Sequence, residues 1–476
     1  MVNNDQLYKG LIWSAIDKFS IIGIQIVFEI LMARILSPKE YGLMGMLLVV
    51  MSFTQVFIDS GFGSALIFKK DRTETDFSTA FYTSVFLGVI IYGLLFTLAP
   101  YISEFYKQNI TLLIRAVGIS IILNSISVIY RTRLTIIIDF KSQAKFSFFA
   151  VLLSGVIGLV LAYMGYGIWA LIFQNILLAF FNMLFLFINL KWLPNLEFSK
   201  KSFLELFNYG SKLLYASIIN SIYINFNSIL LGKFYSTKSL GIYTKSFQFT
   251  IFPVTIFTGI LQRVFFPYLV KFQDNYDGLY SHLNKYNKVI FIILLPIITL
   301  AVLFSNVLIP FVLSDQWSEM TKPFNILLIA TLFYPLIVMN MNIFQVIGKT
   351  SRFLFVEILT KITGLAITLY CYRYGLVGIC IGILTQFIIQ YLITSYFVAN
   401  SLKKSFYKTI NIFLYFLLSV VIYLISNYIL STSEAFFLKV AIVFLFIAVS
   451  YGIIYQRLYG RQILNAYLMV KKKYKK

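Results

Sequence analysis

The sequence predicts an all-α integral membrane protein with about fourteen transmembrane helices, and three observations favour this class. Of its 476 residues, 59% are apolar and only 12% are charged, whereas a soluble domain carries about 25% charged residues. The apolar residues form runs of about 20 residues, the length that an α-helix needs to cross a bilayer, and they lack the alternation of membrane β-strands. Sequence landmarks also recur in the two halves of the chain, which predicts two similar lobes.

The apolar runs follow one another along nearly the whole chain. The first run is longer than the apolar core of a cleaved signal peptide and contains charged residues, so we expect it to remain as a membrane helix. The predicted spans lie at 11–33, 42–67, 78–100, 110–130, 146–163, 167–188, 203–231, 240–270, 289–312, 323–347, 353–372, 375–399, 409–430 and 440–456. A basic tail at 461–476 follows them and suits attraction to anionic lipid on the cytoplasmic surface.

The distribution of basic residues predicts the orientation of these spans. Forty Lys and Arg residues stand against 18 Asp and Glu residues, giving a formal net charge of +22. With a cytoplasmic N-terminus, twenty-six basic residues fall in the termini and even-numbered loops, and eight fall in the odd-numbered loops. Because basic residues concentrate in the cytoplasmic loops of membrane proteins, we expect both termini to be cytoplasmic. The excess charge then encodes topology and does not indicate nucleic-acid binding.

An internal duplication is the third observation. Three pairs of segments correspond in order: Ser37–Gly42 with Ser236–Gly241, Lys141-Ser142 with Lys349-Thr350, and Tyr166-Gly167 with Tyr374-Gly375. A repeat of six helices enters the membrane twice from the same side, so the lobes are parallel and related by an axis along the membrane normal. We therefore expect an N-lobe at 1–198, a C-lobe at 199–400 and a helical hairpin at 401–460.

Two segments resemble a known family. They are the turn Ala33–Gly42, ARILSPKEYG, and the end of the second span, Asp59–Ile67, DSGFGSALI. Together with the 6 + 6 + 2 arrangement of helices, they resemble the polysaccharide transporter branch, of O-antigen and colanic-acid exporter type, of the multidrug/oligosaccharidyl-lipid/polysaccharide (MOP) flippase superfamily.

The resemblance implies the MOP flippase fold and an alternating-access flippase in the bacterial plasma membrane. Its substrate would be an undecaprenyl-diphosphate-linked oligosaccharide for O-antigen, capsule or exopolysaccharide synthesis. The implied partners are this substrate, membrane lipids and the polysaccharide polymerase or chain-length machinery.

Basic residues inside the spans are the candidate substrate-binding groups. Lys18, Lys212 and Lys245 lie in spans one, seven and eight, which line the central cavity in the resembled fold. A Lys ammonium is a suitable partner for a diphosphate. The alternative is that each lysine neutralises a nearby carboxylate, such as Asp17 beside Lys18, or extends to the membrane surface.

Three further basic residues carry less weight. Arg115 is close enough to the end of its span to reach the interface, and Arg263 lies near Pro267, about two turns from the end of span eight. Both remain candidates for the cationic cavity. Lys361 follows Glu357 by four residues, a spacing that favours a structural ion pair on one helical face.

Acidic residues inside the spans are candidates for ion coupling. Asp17, Glu29 and Asp59 lie at membrane depth, where a carboxyl group can exchange protons because desolvation raises its pKa. Alternatively, Glu29 pairs with Arg34, and Asp59 organises the turn that follows it. The sequence predicts no cofactor, and coupling to protons or sodium remains open.

Two other classes of protein are weaker interpretations. A multidrug or cation antiporter of the same superfamily would favour buried carboxylates over buried lysines. A polysaccharide polymerase or membrane acyltransferase would favour a large extracytoplasmic loop or a His/Asp constellation, and the single histidine, His282, provides poor material for catalysis. We therefore expect a transporter and no metal site or enzyme activity.

Overall fold

The computed structural model describes residues 23–59 and 61–406, together with short stretches between 421 and 449. Asp17, Lys18, the predicted hairpin at 401–460 beyond these stretches and the basic tail at 461–476 lie outside the described residues.

The described residues form α-helices joined by short turns, and no β-strand occurs among them. The helices are α1 (23–35), α2 (Pro38–Asp59), α3 (Phe62–Phe68), α4 (Glu74–Tyr106), α5 (Thr111–Ile136), α6 (Phe140–Tyr163), α7 (Ile168–Leu190), α8 (Lys200–Phe234), α9 (Thr237–Val270), α10 (Tyr276–Leu313), α11 (Thr321–Thr331), α12 (Tyr334–Val346), α13 (Thr350–Cys371) and α14 (Gly375–Ser401). A 3₁₀ segment, Asp315–Met320, connects α10 to α11.

Predicted spans two to twelve each coincide with a helix or a pair of helices. Ten stretches of the described chain are long and apolar enough to cross a membrane, while the total of fourteen spans remains a prediction. The second span is divided between α2 and α3 at Gly61, whose φ of 75° favours glycine. Gly61 also packs closely against Gly210, since a Cβ added to Gly61 would lie 2.4 Å from the Cα atom of Gly210.

The chain packs as two compact units. The first contains the described residues up to Lys245 and the segment Pro310–Glu319, and the second contains Ser246–Ile309 and the described residues from Met320 onward. In the first unit, α5 packs against α4 and α7, and α8 packs against α2, α3 and α4. In the second unit, α14 packs against α11, α12 and α13. The six-helix lobes at 1–198 and 199–400, which rest on the duplication, remain a prediction.

A capping box begins α4 and gathers charged groups at that end of the first unit. The Thr73 hydroxyl accepts a hydrogen bond from the Asp76 backbone N–H, and the Asp76 carboxylate accepts one from the Thr73 N–H at 2.8 Å. The Lys69 ammonium lies 2.8 Å from Asp76 and 2.9 Å from Glu205. The hydrogen bond to Asp76 raises the pKa of Lys69, so the lysine keeps its charge at neutral pH.

Replacing Asp76 by alanine is expected to lower the free energy of unfolding by about 2 kcal/mol, because the carboxylate caps α4 and binds Lys69 while its side chain is only 1% exposed. Thermal unfolding of the purified protein would measure this as a lower midpoint. Glu205→Ala is the matched control: Glu205 binds the same lysine but is 46% exposed, so we expect little change. Equal losses in the two variants would contradict the assigned role of the cap.

Candidate functional site

The starts of α2 and α9 have similar local structures. Ser37 and Glu40 form a reciprocal pair at the start of α2, where Ser37 N–H donates to the Glu40 carboxylate at 2.6 Å. Ser236 accepts a hydrogen bond from the Ser239 N–H at 3.2 Å before α9. These serines begin the two segments that the sequence aligns as a repeat.

These two helix starts touch each other through a reciprocal pair of glycines. A Cβ added to Gly42 would lie 1.8 Å from the carbonyl oxygen of Thr237, and a Cβ added to Gly241 would lie 1.8 Å from the carbonyl oxygen of Pro38. Each glycine therefore faces the backbone of the other helix start with no room for a side chain. We call Pro38, Gly42, Thr237 and Gly241 the glycine contact.

A buried ion pair lies one helical turn from the glycine contact. Lys245 follows Gly241 by four residues on α9, and its side chain is 1% exposed. Its ammonium forms an ion pair with the carboxylate of Glu29 on α1. The same ammonium lies 3.9 Å from the centroid of the Tyr41 ring, a cation–π contact. Residues from α1, α2 and α9 thus converge on one cation.

The energetics of this pair explain why it is enclosed. A lysine at membrane depth costs about 2.5–3.5 kcal/mol on insertion scales and normally faces protein or water. Glu29 and the Tyr41 ring replace part of the hydration that Lys245 loses. The Glu29 side chain keeps 29% of its surface exposed, so the pair is accessible from the carboxylate side.

The segment Pro310–Glu319 covers the turn between α1 and α2. The indole N–H of Trp317 donates to the carbonyl oxygen of Ala33 at 2.7 Å, and the Gln316 amide donates to the same oxygen at 3.0 Å. The Trp317 ring also meets the Tyr41 ring edge-on, with centroids 5.4 Å apart. At the edge of this segment, Glu319 binds Lys238 of α9 at 2.7 Å.

The structure brings together Lys245, predicted as a substrate-binding cation, and Glu29, predicted as an ion-coupling carboxylate. Pairing of Glu29 with Arg34 is wrong, because Glu29 binds Lys245 while the Arg34 guanidinium donates to the carbonyl oxygens of Phe311 and Val312. Position in sequence favoured Arg34, five residues from Glu29. The fold instead joins α1 to a helix 216 residues further along the chain.

Three other candidate basic residues have described side chains. Arg115 donates to the Phe96 carbonyl oxygen at 3.2 Å and lies 4.1 Å from that ring's centroid. Arg263 is exposed on the part of α9 that belongs to the second unit. Lys361 and Glu357 form the expected ion pair at 3.0 Å, which confirms that prediction.

For two more candidates only the backbone is described. Lys212 lies within α8, and Asp59 is the last residue of α2. Their roles, like those of Lys18 and Asp17, remain predictions.

Two aromatic residues of the site, Tyr41 and Trp317, were not among the predicted candidates. Tyr41 stands inside the recognised ARILSPKEYG segment, so its position was a usable signal. Trp317 and Gln316 lie in a polar connection between two spans, where hydropathy gives no reason to select them.

The fold and the site define a multi-pass membrane protein of the transporter class, and comparisons with known proteins place it in a family. The chain belongs to the family described as "Polysaccharide biosynthesis protein", which matches residues 31–322. It is 25% identical over 349 residues to the teichuronic acid biosynthesis protein TuaB of Bacillus subtilis (strain 168), covering 73% of this chain and 72% of TuaB. It is 24% identical over 396 residues to the lipopolysaccharide biosynthesis protein WzxC of Escherichia coli (strain K12), covering 75% and 80%.

A solved structure establishes the fold. The lipid II flippase MurJ, in an inward closed conformation, superimposes with a TM-score of 0.74 at 15% sequence identity, covering 95% of this chain and 100% of the MurJ chain. A multidrug resistance MATE family transporter of the MOP superfamily, in an inward-facing conformation, also superimposes, with a TM-score of 0.57 at 15% sequence identity, covering 82% of this chain and 99% of that chain. These likenesses confirm the predicted all-α MOP flippase fold, and membership of the polysaccharide biosynthesis family confirms the resemblance. The count of fourteen spans remains a prediction.

Proposed function

We propose that this protein is a flippase that carries a lipid-linked oligosaccharide from the cytoplasmic to the outer leaflet of the bacterial plasma membrane. Membership of the polysaccharide biosynthesis family supports this class, as do the similarity to TuaB and WzxC and the fold shared with a lipid II flippase. The substrate would be an undecaprenyl-diphosphate-linked repeat unit, delivered to polymerase or chain-length proteins for O-antigen, capsule or exopolysaccharide.

The observation that carries the proposal is the enclosed Lys245 beside the glycine contact. With both termini in the cytoplasm, the α1–α2 turn and the start of α9 lie at the outer surface of the membrane. The glycine contact and the segment Pro310–Glu319 then close this end of the first unit. Alternating access requires such a closure to open, and opening it would separate α2 from α9.

Separation of these helices would change the partner of Lys245. Tyr41 belongs to α2, so its ring leaves the ammonium when α2 moves away from α9. A diphosphate can then compete with Glu29 for Lys245, because both are anionic partners for one ammonium. Glu29, once released, would take up a proton or a sodium ion, which links substrate binding to ion coupling.

The alternatives predict different chemistry at this site. A multidrug exporter for cationic drugs would favour a carboxylate without a basic partner, whereas Glu29 is already neutralised by Lys245. An enzyme would require reacting groups such as a His/Asp constellation, and the described residues of this site do not include one. A diphosphate substrate instead requires a cation that Glu29 can release, which is the role proposed above for Lys245.

Deletion of the gene in its host tests the proposed function. We expect loss of a surface polysaccharide and accumulation of lipid-linked repeat units in extracted membranes, with unchanged susceptibility to cationic drugs. Complementation with Lys18→Ala or Lys212→Ala should restore protein in the membrane but not the polysaccharide. A normal polysaccharide together with altered drug susceptibility would favour the multidrug exporter, and full export by both variants would overturn their assignment to the cavity.

A further inference from the structure

A long apolar groove lies in the first unit between α2, α4 and α8. It encloses about 780 Å³ and is lined by residues such as Phe53 and Phe57 of α2, Ile91 and Leu94 of α4, and Phe207 of α8. Among its described lining residues, polar groups are limited to the hydroxyls of threonine, serine and tyrosine side chains. Water would gain few hydrogen bonds in such a groove, so an apolar chain is the occupant that its surface favours.

The length of the groove distinguishes between kinds of lipid chain. Its lining on α8 extends from Phe207 to Ile229, about six helical turns or roughly 33 Å. Its lining on α4 extends from Leu87 to Tyr106, roughly 28 Å. The hydrocarbon core of a bilayer is about 30 Å thick, so an acyl chain of one leaflet reaches about half of that distance. The groove matches a chain longer than an ordinary acyl chain.

One end of the groove carries positive charge. The Lys233 ammonium on α8 lies 4.2 Å from the centroid of the Phe105 ring, which lines the groove. Gly232 lets α8 approach the neighbouring lining residue, because an added Cβ there would lie 2.7 Å from the Tyr106 ring. Lys107, which is exposed, follows Tyr106 at the end of α4.

At the other end of the groove, the ammonium of Lys69, which follows α3, is bound to both Asp76 and Glu205. Lys233 is therefore a described cation in direct contact with a residue that lines the groove, and it marks the end where an anionic head group would bind. On the proposed orientation of the chain, that end lies at the outer surface.

We propose that the groove between α2, α4 and α8 binds the polyisoprenoid chain of the lipid-linked substrate, with its diphosphate held near Lys233 after transfer to the outer side. This inference rests on the proposed function for the identity of the ligand. The protein would thus hold the tail in a groove distinct from the Lys245–Glu29 site, so that the lipid remains bound while its head group crosses.

Photolabelling tests the groove independently of transport. The full-length protein is reconstituted in vesicles of phosphatidylethanolamine and phosphatidylglycerol with undecaprenyl diphosphate that carries a diazirine in its chain. Labelled peptides are identified by mass spectrometry. We expect labelling within Leu87–Tyr106, and we expect Ile91→Trp, which fills the groove, to reduce it about tenfold.

A neighbouring residue provides the matched control. Ile90 lies on the same helix, is 40% exposed and is absent from the groove lining, so Ile90→Trp should label like the native protein. Lys233→Gln should weaken labelling by the diphosphate probe but not by an uncharged undecaprenol probe.

Three results would overturn the inference: equal labelling of the Ile91→Trp and Ile90→Trp variants, no effect of Lys233→Gln, or equal labelling by a diazirine phosphatidylglycerol. The last would identify a site for ordinary bilayer lipid. Failure of the proposed function would appear separately, as intact surface polysaccharide after gene deletion, whereas these labelling results would remove only the groove assignment.

Discussion

Replacement of Lys245 by methionine is expected to abolish polysaccharide export and to destabilise the protein. Removing one member of a buried ion pair costs about 3–5 kcal/mol, because the remaining charge loses its partner. Glu29 keeps 29% of its surface exposed, so water relieves part of this penalty and we expect the lower end of that range. Surface polysaccharide and the thermal midpoint of the purified variant are the measurements.

The Lys361–Glu357 pair provides a matched control for the removal of a membrane-embedded lysine. Both of its side chains are partly exposed, at 26% and 33%, and they are four residues apart on one helix. Pairs of this kind contribute less than about 1 kcal/mol. Lys361→Met should therefore leave export and stability nearly unchanged, and a loss as large as that of Lys245→Met would remove the distinction between the two lysines.

A double variant separates the structural role of Lys245 from its role in transport. Lys245→Met combined with Glu29→Gln leaves no unpaired charge, so stability should return toward that of the native protein. Export should stay absent, because the cation proposed to meet the diphosphate is still missing. Export at the native level by the double variant would show that the pair only supports the fold.

The helices could be predicted from sequence because hydropathy reports them directly. Each of predicted spans two to twelve coincides with helical structure, since a run of about 20 apolar residues has few alternatives in a membrane. The residues at which the helices begin and end were less predictable. The α10 helix begins at Tyr276, although the predicted span starts at 289, because its first turns are polar and do not register in a hydropathy window.

Breaks within the predicted spans interrupt continuous apolar runs, which hydropathy does not reveal. The second span was predicted to continue across Gly61, and a turn there was considered only as the alternative role of Asp59, whereas the structure has a left-handed glycine at that position. The division between α11 and α12 follows a continuous apolar run and was not expected. Pro335 in the first turn of α12 is its only local signal.

The candidate site was predictable in its members more than in its contacts. Lys245 and Glu29 stood out as charges within apolar runs, but their pairing depends on the packing of α1 against α9. The Ser37–Gly42 and Ser236–Gly241 segments were recognised as equivalents, and nothing in their sequences indicated that they touch. Such contacts join residues about 200 positions apart, beyond the reach of local patterns.

Replacement of Gly42 by valine is expected to open the contact between α2 and α9 and to abolish export. The obstructing atom is a backbone oxygen of Thr237, 1.8 Å from the new Cβ, so no side chain can turn aside to make room. Overpacking costs about 1–3 kcal/mol, and a contact between two backbones should reach the upper part of that range. The helices must therefore separate.

Accessibility of the nearby Leu240 measures this separation. Leu240 is fully buried, so Leu240→Cys, in a chain with Cys371 and Cys380 replaced by alanine, should react slowly with a maleimide that cannot cross the membrane. Adding Gly42→Val should accelerate the reaction several-fold. Gly93→Ala is the control, because an added Cβ meets nothing within 4 Å there, and its reaction rate and export should match those of the unsubstituted protein.

A double variant of Gly42 and Gly241 tests this prediction most strictly, because each glycine faces the backbone of the other helix start. Gly42 and Gly241 close the same contact from opposite sides, so a valine at either position should remove it. The double variant should then lose little more stability than either single variant, a strong departure from additivity. Additive losses, or normal export with Leu240→Cys still protected, would mean that the two glycines do not act as one closure.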